Sequence, residues 1–153
     1  MSLERAKEYL KKYKMDKDIL EFDTSSATVA LAAQALHCEE AEIAKTLSFL
    51  LDDQPIVIVV AGDKKIDNAK YKEEFHKKAK MIAFEEVEPL IGHAVGGVCP
   101  FGINENVEIY LDKSLKEHKA VYPACGSHNS AIRLEVKKLE EILDYKKWID
   151  VCK

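Results

Sequence analysis

A lysine at position 45 opens the stretch KTLSFLL, where in an extended chain it shares a face with Leu47, Phe49 and Leu51. A cation on an apolar face has two readings. Its stem packs on the core while the ammonium reaches water, or the ammonium sits in a pocket where it can bind a phosphate or polarise an ester. About fifty residues later comes GHAVGGVCPFG, which holds four of the chain's six glycines. Within it, Gly96-Gly97-Val98-Cys99-Pro100 has the form GxxxP. Glycine costs a strand or helix roughly 0.5 to 1 kcal/mol relative to alanine, so clustering suits a place where φ must be positive or a ligand nears the main chain. Proline fixes its own φ and restrains the residue before it, so the loop could present a rigid arc of N–H donors to a carbonyl oxygen or an anion. A tight turn between strands would use the same residues.

A second small-residue turn, Gly126-Ser127-His128-Asn129-Ser130, offers hydroxyls and an imidazole on a loop before a strand; a plain polar loop is the alternative. The four cysteines, at 38, 99, 125 and 152, show no CxxC pair, which argues for reduced thiols rather than a disulfide framework or a zinc ribbon. Two rival chemistries use them. Cys99 or Cys125 with His128 or His93 could form a nucleophile and its base, or the four together could bind zinc; a lone cysteine is more often a small buried hydrophobe. From Lys64 to Lys80 seven lysines face three acids, as either a solvated helix face or a phosphate-tracking patch. Nothing has the form of a Walker loop, a dinucleotide fingerprint or a zinc-protease helix.

The elements that must position these residues follow from periodicity. Leu3, Ala6, Leu10 and Tyr13 recur at helical spacing. A short strand is expected over Ile19 to Phe22, and a tightly packed alanine-rich helix over Ala27 to Leu36, with N-cap candidates in Asp23 to Ser26. After a helical turn at Glu39 to Ala44, Lys45 to Leu51 and Ile56 to Ala61 read as a hairpin turning through Asp52 to Pro55. Asp67 to Lys78 reads as an exposed helix with Glu73–Lys77 and Glu74–Lys78 pairs, Met81 to Phe84 as a strand, and Glu85 to Ile91 as a short helix. Strands follow at Val107 to Leu111, Ser130 to Val136 and Trp148 to Val151, with a helical turn at Ser114 to His118 and a short helix at Leu139 to Leu143, while Ala120 to Ala124 leads into the second small-residue turn. Paired strands mixed with helices of unequal length predict an α/β (α+β) domain around a mixed sheet.

At 153 residues and 47% hydrophobic, the chain has the size of one domain with one sizeable core. Its apolar runs are too short to span a bilayer and its N-terminal stretch lacks a signal-peptide core, so a cytoplasmic protein without a membrane partner is expected. The formal charge of −4 argues against coating nucleic acid, DNA included, but leaves room for recognition of one RNA end.

Taken together, the alanine-rich helix, CEEAEIAKTLSFLL, PIVIVVAGD, GGVCPFG and CGSHNSAIRLEV resemble the YbaK and prolyl-tRNA synthetase-associated editing-domain family, from about Thr24 to Val136. The resemblance implies a mixed sheet surrounded by helices, and hydrolysis of mischarged aminoacyl-tRNA, often tRNA for proline, with no metal or cofactor. It makes residues 1–153 a single editing domain. By position, Lys45 matches the family's essential lysine, and Gly96, Gly97 and Pro100 match its loop as the catalytic set. Thr46, Val98, Cys99, Gly126, Ser127 and His128 become substrate-binding candidates. The implied partner is the acceptor end of a mischarged tRNA, with an aminoacyl-tRNA synthetase as a further one. Thr46 departs from the asparagine of alanine-editing members, which puts alanine specificity in doubt. The alternatives are a non-catalytic tRNA-end binder or synthetase-associated module, and a thiol-dependent esterase.

Overall fold

The computed structural model describes residues 2–153. Helix α1 (Ser2–Lys11) buries Ala6 and Leu10, as its spacing predicts. Strand β1 (Leu20–Glu21) is short, and helix α2 (Val29–Leu36) is capped by Thr28, whose Oγ1 accepts from the Leu31 amide, rather than by the 23–26 run. Strands β2 (Ile43–Leu51) and β3 (Gln54–Ala61) form the expected hairpin, but the turn is only Asp52-Asp53 and Pro55 already lies opposite Leu50. Helix α3 (Asn68–Phe75) ends early because His76 takes a left-handed conformation, so Lys77 pairs with Asp52 and Glu74 with Lys147 instead of within one helix.

Helix α4 (Phe84–Ile91) takes in Phe84, and the strand expected before it shrinks to one bridge between Met81 and Phe49. Strands β4 (Glu108–Asp112), β5 (Ala120–Pro123), β6 (Ser130–Ala131) and β7 (Leu134–Glu135) precede helix α5 (Val136–Ile142) and strand β8 (Lys147–Ile149). The alternating run from Ser130 to Val136 predicts one strand, but its two ends find different partners: β6 pairs with β1 and β7 with β5. Its apolar face survives the break, since Ile132, Leu134 and Val136 are all buried.

Six strands form one mixed sheet in the order β7-β5-β2-β3-β4-β8. Central β3 is covered on both faces, which is why its sequence is a continuous apolar run rather than an alternating one. On one face Val57, Val59 and Leu111 pack with α1, α4, α5 and the inner half of the glycine loop. On the other, Ile56, Ile58 and Val60 pack with Phe49 and with Tyr71 of α3.

One interruption in this sheet positions the site. Strand β2 pairs with β5 only at Ile43 and Ala44. Farther along the same edge, the Leu50 amide donates to the Lys80 carbonyl at 2.9 Å and the Ile82 amide donates to the Ser48 carbonyl at 3.2 Å. Thr46 lies between these two attachments. Because the groups of an antiparallel strand alternate in direction, the Thr46 N–H and C=O point away from β3 into the gap.

Candidate active site

A cavity of about 470 Å³ opens at this gap, within the range of roughly 300–1,000 Å³ usual for small-molecule sites. Residues 44–48 of β2 form one wall, the segment entering α2 a second, α4 a third, and Val95, Gly96 and Val98 of the glycine loop a fourth. Among the described residues its only cation is Lys45, and no aspartate, glutamate, histidine or cysteine lines it.

Lys45 is half-buried, and its Nζ donates to the Lys64 carbonyl at 2.5 Å. Burial pushes its pKa below the ordinary lysine value, opposed by Cys152 and Asp63 and reinforced by Lys65. The ammonium is thus oriented by a main-chain acceptor and retains donors for a ligand. Beside it, Thr46 Oγ1 is buried without a hydrogen-bond partner among the described residues. A buried hydroxyl left unpaired costs about 1–3 kcal/mol, so Thr46 Oγ1 is a polar atom on this wall with a hydrogen bond still to make.

The glycine loop presents a turn. The Gly97 amide donates to the Ala94 carbonyl at 3.0 Å, and Gly96 has φ of 100°, the positive value that the third position of a type II turn requires. The Gly97 amide is therefore consumed within the loop, whereas the Gly96 and Val98 amides have no partner in the chain among the described residues. The Cys99 amide is unpartnered as well, but of these three residues only Gly96 and Val98 line the cavity, so the arc of donors expected from the sequence narrows there to two. Gly96 also sits where a Cβ would come 3.4 Å from that of Ala27, bringing the turn against the segment that enters α2.

Beyond Val98 the loop turns inward. Cys99, Pro100 and Phe101 are buried, and Cys99 and Phe101 belong to the core. The Ser127 hydroxyl is occupied at 3.0 Å from Asn129 Oδ1 and 2.6 Å from Ser130 Oγ. The His128 side chain is exposed while its carbonyl accepts from the Ser26 amide. Of the ten residues assigned from the sequence, Lys45, Thr46, Gly96 and Val98 line the cavity; Gly97, Cys99, Pro100, Gly126, Ser127 and His128 do not.

The thiol chemistry meets a physical obstacle. Cys99 Sγ lies 3.5 Å from His93 Nε2, but that nitrogen is 2.6 Å from the Phe101 carbonyl and must donate to it, leaving no lone pair there to take the thiol proton. Burial pushes the Cys99 pKa up to about 12 and the His93 pKa below its ordinary 6.5. Cys125 is driven up as well, mainly by burial. The lysine-rich segment is dispersed into separate ion pairs, Lys64 with Glu117, Lys70 with Asp150 and Lys77 with Asp52.

Two contributors escaped sequence reasoning. Arg5 of α1 donates to the Gly92 carbonyl at 3.2 Å and to Asn104 Oδ1 at 2.9 Å, and Gly92 and Gly102 both pack against it, so it clamps the two ends of the glycine loop. No local pattern links an arginine on the first helix to a loop nearly ninety residues later. Phe84 lines the cavity from the first turn of α4, where the sequence suggested the end of a strand.

The described helices include none long and apolar enough to cross a membrane. A family model described as an aminoacyl-tRNA editing domain matches residues 23–142. The uncharacterized protein YwhH of Bacillus subtilis is 49% identical over 154 residues, covering 100% of this chain and 98% of that protein. EbsC of Enterococcus faecalis, described as a candidate Cys-tRNA(Pro)/Cys-tRNA(Cys) deacylase, is 28% identical over 104 residues, or 67% of this chain and 63% of its own. A crystal structure described as a candidate trans-editing enzyme for prolyl-tRNA synthetase superposes with a TM-score of 0.88 at 27% identity, covering 99% of this chain and 97% of that one.

Proposed function

The chain belongs to the aminoacyl-tRNA editing domain family, and from that footing we propose that it is a free-standing deacylase, working in the cytoplasm, that hydrolyses the ester of a mischarged tRNA: tRNA for proline carrying a small amino acid. The observation that carries this reading is the cavity's chemistry: Lys45 is the one cation among its described lining residues, the Gly96 and Val98 amides on its wall are unpartnered, and no acid, imidazole or thiol lines it. Such a site suits a substrate that is already activated. An aminoacyl ester needs water held in place and charge stabilised on its carbonyl oxygen, rather than a strong nucleophile.

The Gly96 and Val98 amides hold the ester carbonyl as negative charge develops on it. Lys45 anchors the terminal ribose or its phosphate. Water oxygen bonds to the carbonyl carbon, the bond from that carbon to the ribose oxygen breaks, and the ribose oxygen leaves with a proton. With no protein base on the wall, the neighbouring ribose hydroxyl relays the proton from water. The products are a free amino acid and an uncharged tRNA.

Thr46 and the main-chain edge beside it face the aminoacyl group and set which side chains are accepted. The need for such a sieve follows from the ~1–3 kcal/mol by which a synthetase pocket distinguishes one methylene. The test is a panel of tRNAs charged with alanine, serine, threonine, cysteine and 2-aminobutyrate, assayed for release of amino acid. Turnover of at least one, lost in Lys45→Ala, is the expected outcome. Binding of tRNA without hydrolysis of any would instead make the chain an acceptor-end binding module.

A further inference from the structure

Few large apolar side chains are exposed among the described residues, and three of them, Met81, Phe84 and Val95, border the cavity. Phe84 is the most open of all at 73%. Each is held by regular structure. Met81 is fixed by its bridge to Phe49, and Val95 lies inside the turn that Gly97 closes onto Ala94. Phe84 begins α4 one turn before Val87, which is buried in the cavity wall, so its ring continues that wall outward.

This rim carries no charge, so it is not built for a phosphate. Lys45 and Thr46 of β2 line the same cavity, and Thr46 Oγ1 is buried in it. A ligand that fits this order has a polar, ester-bearing end inside and a flat apolar ring at the mouth. On the deacylase reading, with the ester and ribose inside, the next group on that ribose is the base of the terminal nucleotide. Every base has two π faces, and stacking on an aromatic side chain is the common way in which proteins hold an unpaired one.

We infer that Phe84, flanked by Met81 and Val95, is the platform on which the 3′-terminal adenine of the substrate RNA stacks; this rests on the reading of the cavity as the ester site. Phe84 is then a positioning residue. It contacts the base, not the reacting atoms, and fixes the angle at which the ester meets the Gly96 turn. Stacking selects a ring, so discrimination among amino acids stays with the inner wall.

The test uses full-length protein and an RNA acceptor-stem hairpin whose terminal adenine is replaced by fluorescent 2-aminopurine. Wild type quenches the fluorescence on binding, Phe84→Ala loses the quench with about tenfold weaker binding, and Phe84→Trp restores both. Thermal unfolding of Phe84→Ala matches wild type, because the ring is exposed. In deacylation, Phe84→Ala raises KM with the ranking of amino acids unchanged. A quench that persists in Phe84→Ala overturns the inference while leaving deacylation intact, as does a changed ranking of amino acids with an unchanged base signal. A quench dependent on Phe84 in a protein that deacylates nothing supports the platform and overturns the deacylase reading alone.

Discussion

Gly97 packs directly against the main chain at Gly126: a Cβ on Gly97 would stand 2.6 Å from the Gly126 carbonyl carbon and 2.6 Å from the Ser127 nitrogen. The two small-residue turns are therefore one structure, the second buttressing the first. In Gly97→Ala the obstructing atoms are backbone and cannot swing aside, so the loops must separate. Overpacking of this kind costs about 1–3 kcal/mol. A lowered Tm together with impaired deacylation is expected; an unchanged Tm would mean that the loops are free to part.

Lys45 and Cys99 separate the two chemistries. Lys45→Ala is expected to lower kcat/KM by about 10–10², since a charge-assisted contact to the bound ribose or phosphate is worth about 1.5–3 kcal/mol. Cys99→Ala should keep near-wild-type turnover. In the folded protein a thiol reagent should modify Cys38, the one cysteine that is not buried, before the other three, and all four should react in denaturant. Loss of activity in Cys99→Ala with retention in Lys45→Ala would reverse the assignment.

Thr46→Val removes the buried Oγ1 that has no partner while keeping the shape of the side chain. Without a ligand the variant should be as stable as wild type or more stable by about 1 kcal/mol. Its preference among the charged tRNAs should nevertheless change. A marked loss of stability would show that the hydroxyl has an internal role.

His93 makes stability depend on pH. Burial lowers its folded-state pKa below the ordinary 6.5, so the unfolded chain binds more protons in the window between the two values. Stability present above pH 6.5 is lost as pH falls through that window, with a slope approaching about 1.4 kcal/mol per pH unit. Urea unfolding between pH 7.5 and 5 should show this fall, and His93→Asn should flatten it. Parallel curves for the two proteins would assign the dependence to other groups.

The order of the elements, the β2–β3 hairpin and the separation of Lys45 from the glycine loop were legible in the sequence, because hydrophobic period and turn chemistry are local. The family resemblance was legible for the same reason, since it lies in the order of short motifs. Where tertiary contacts compete with local signals the sequence misled, as in the run from Ser130 to Val136, which is divided between two sheets; the left-handed turn at His76 that ends α3 early was missed as well. Only the folded chain decided which motif residues reach the cavity. Cys99 and Val98 are adjacent in sequence, yet one side chain enters the core and the other lines the site. The gap beside Thr46, the Arg5 clamp and the exposed ring of Phe84 likewise arise from segments distant in sequence. Periodicity specifies the face a residue takes within its own element, but what stands opposite that face is set by packing between elements.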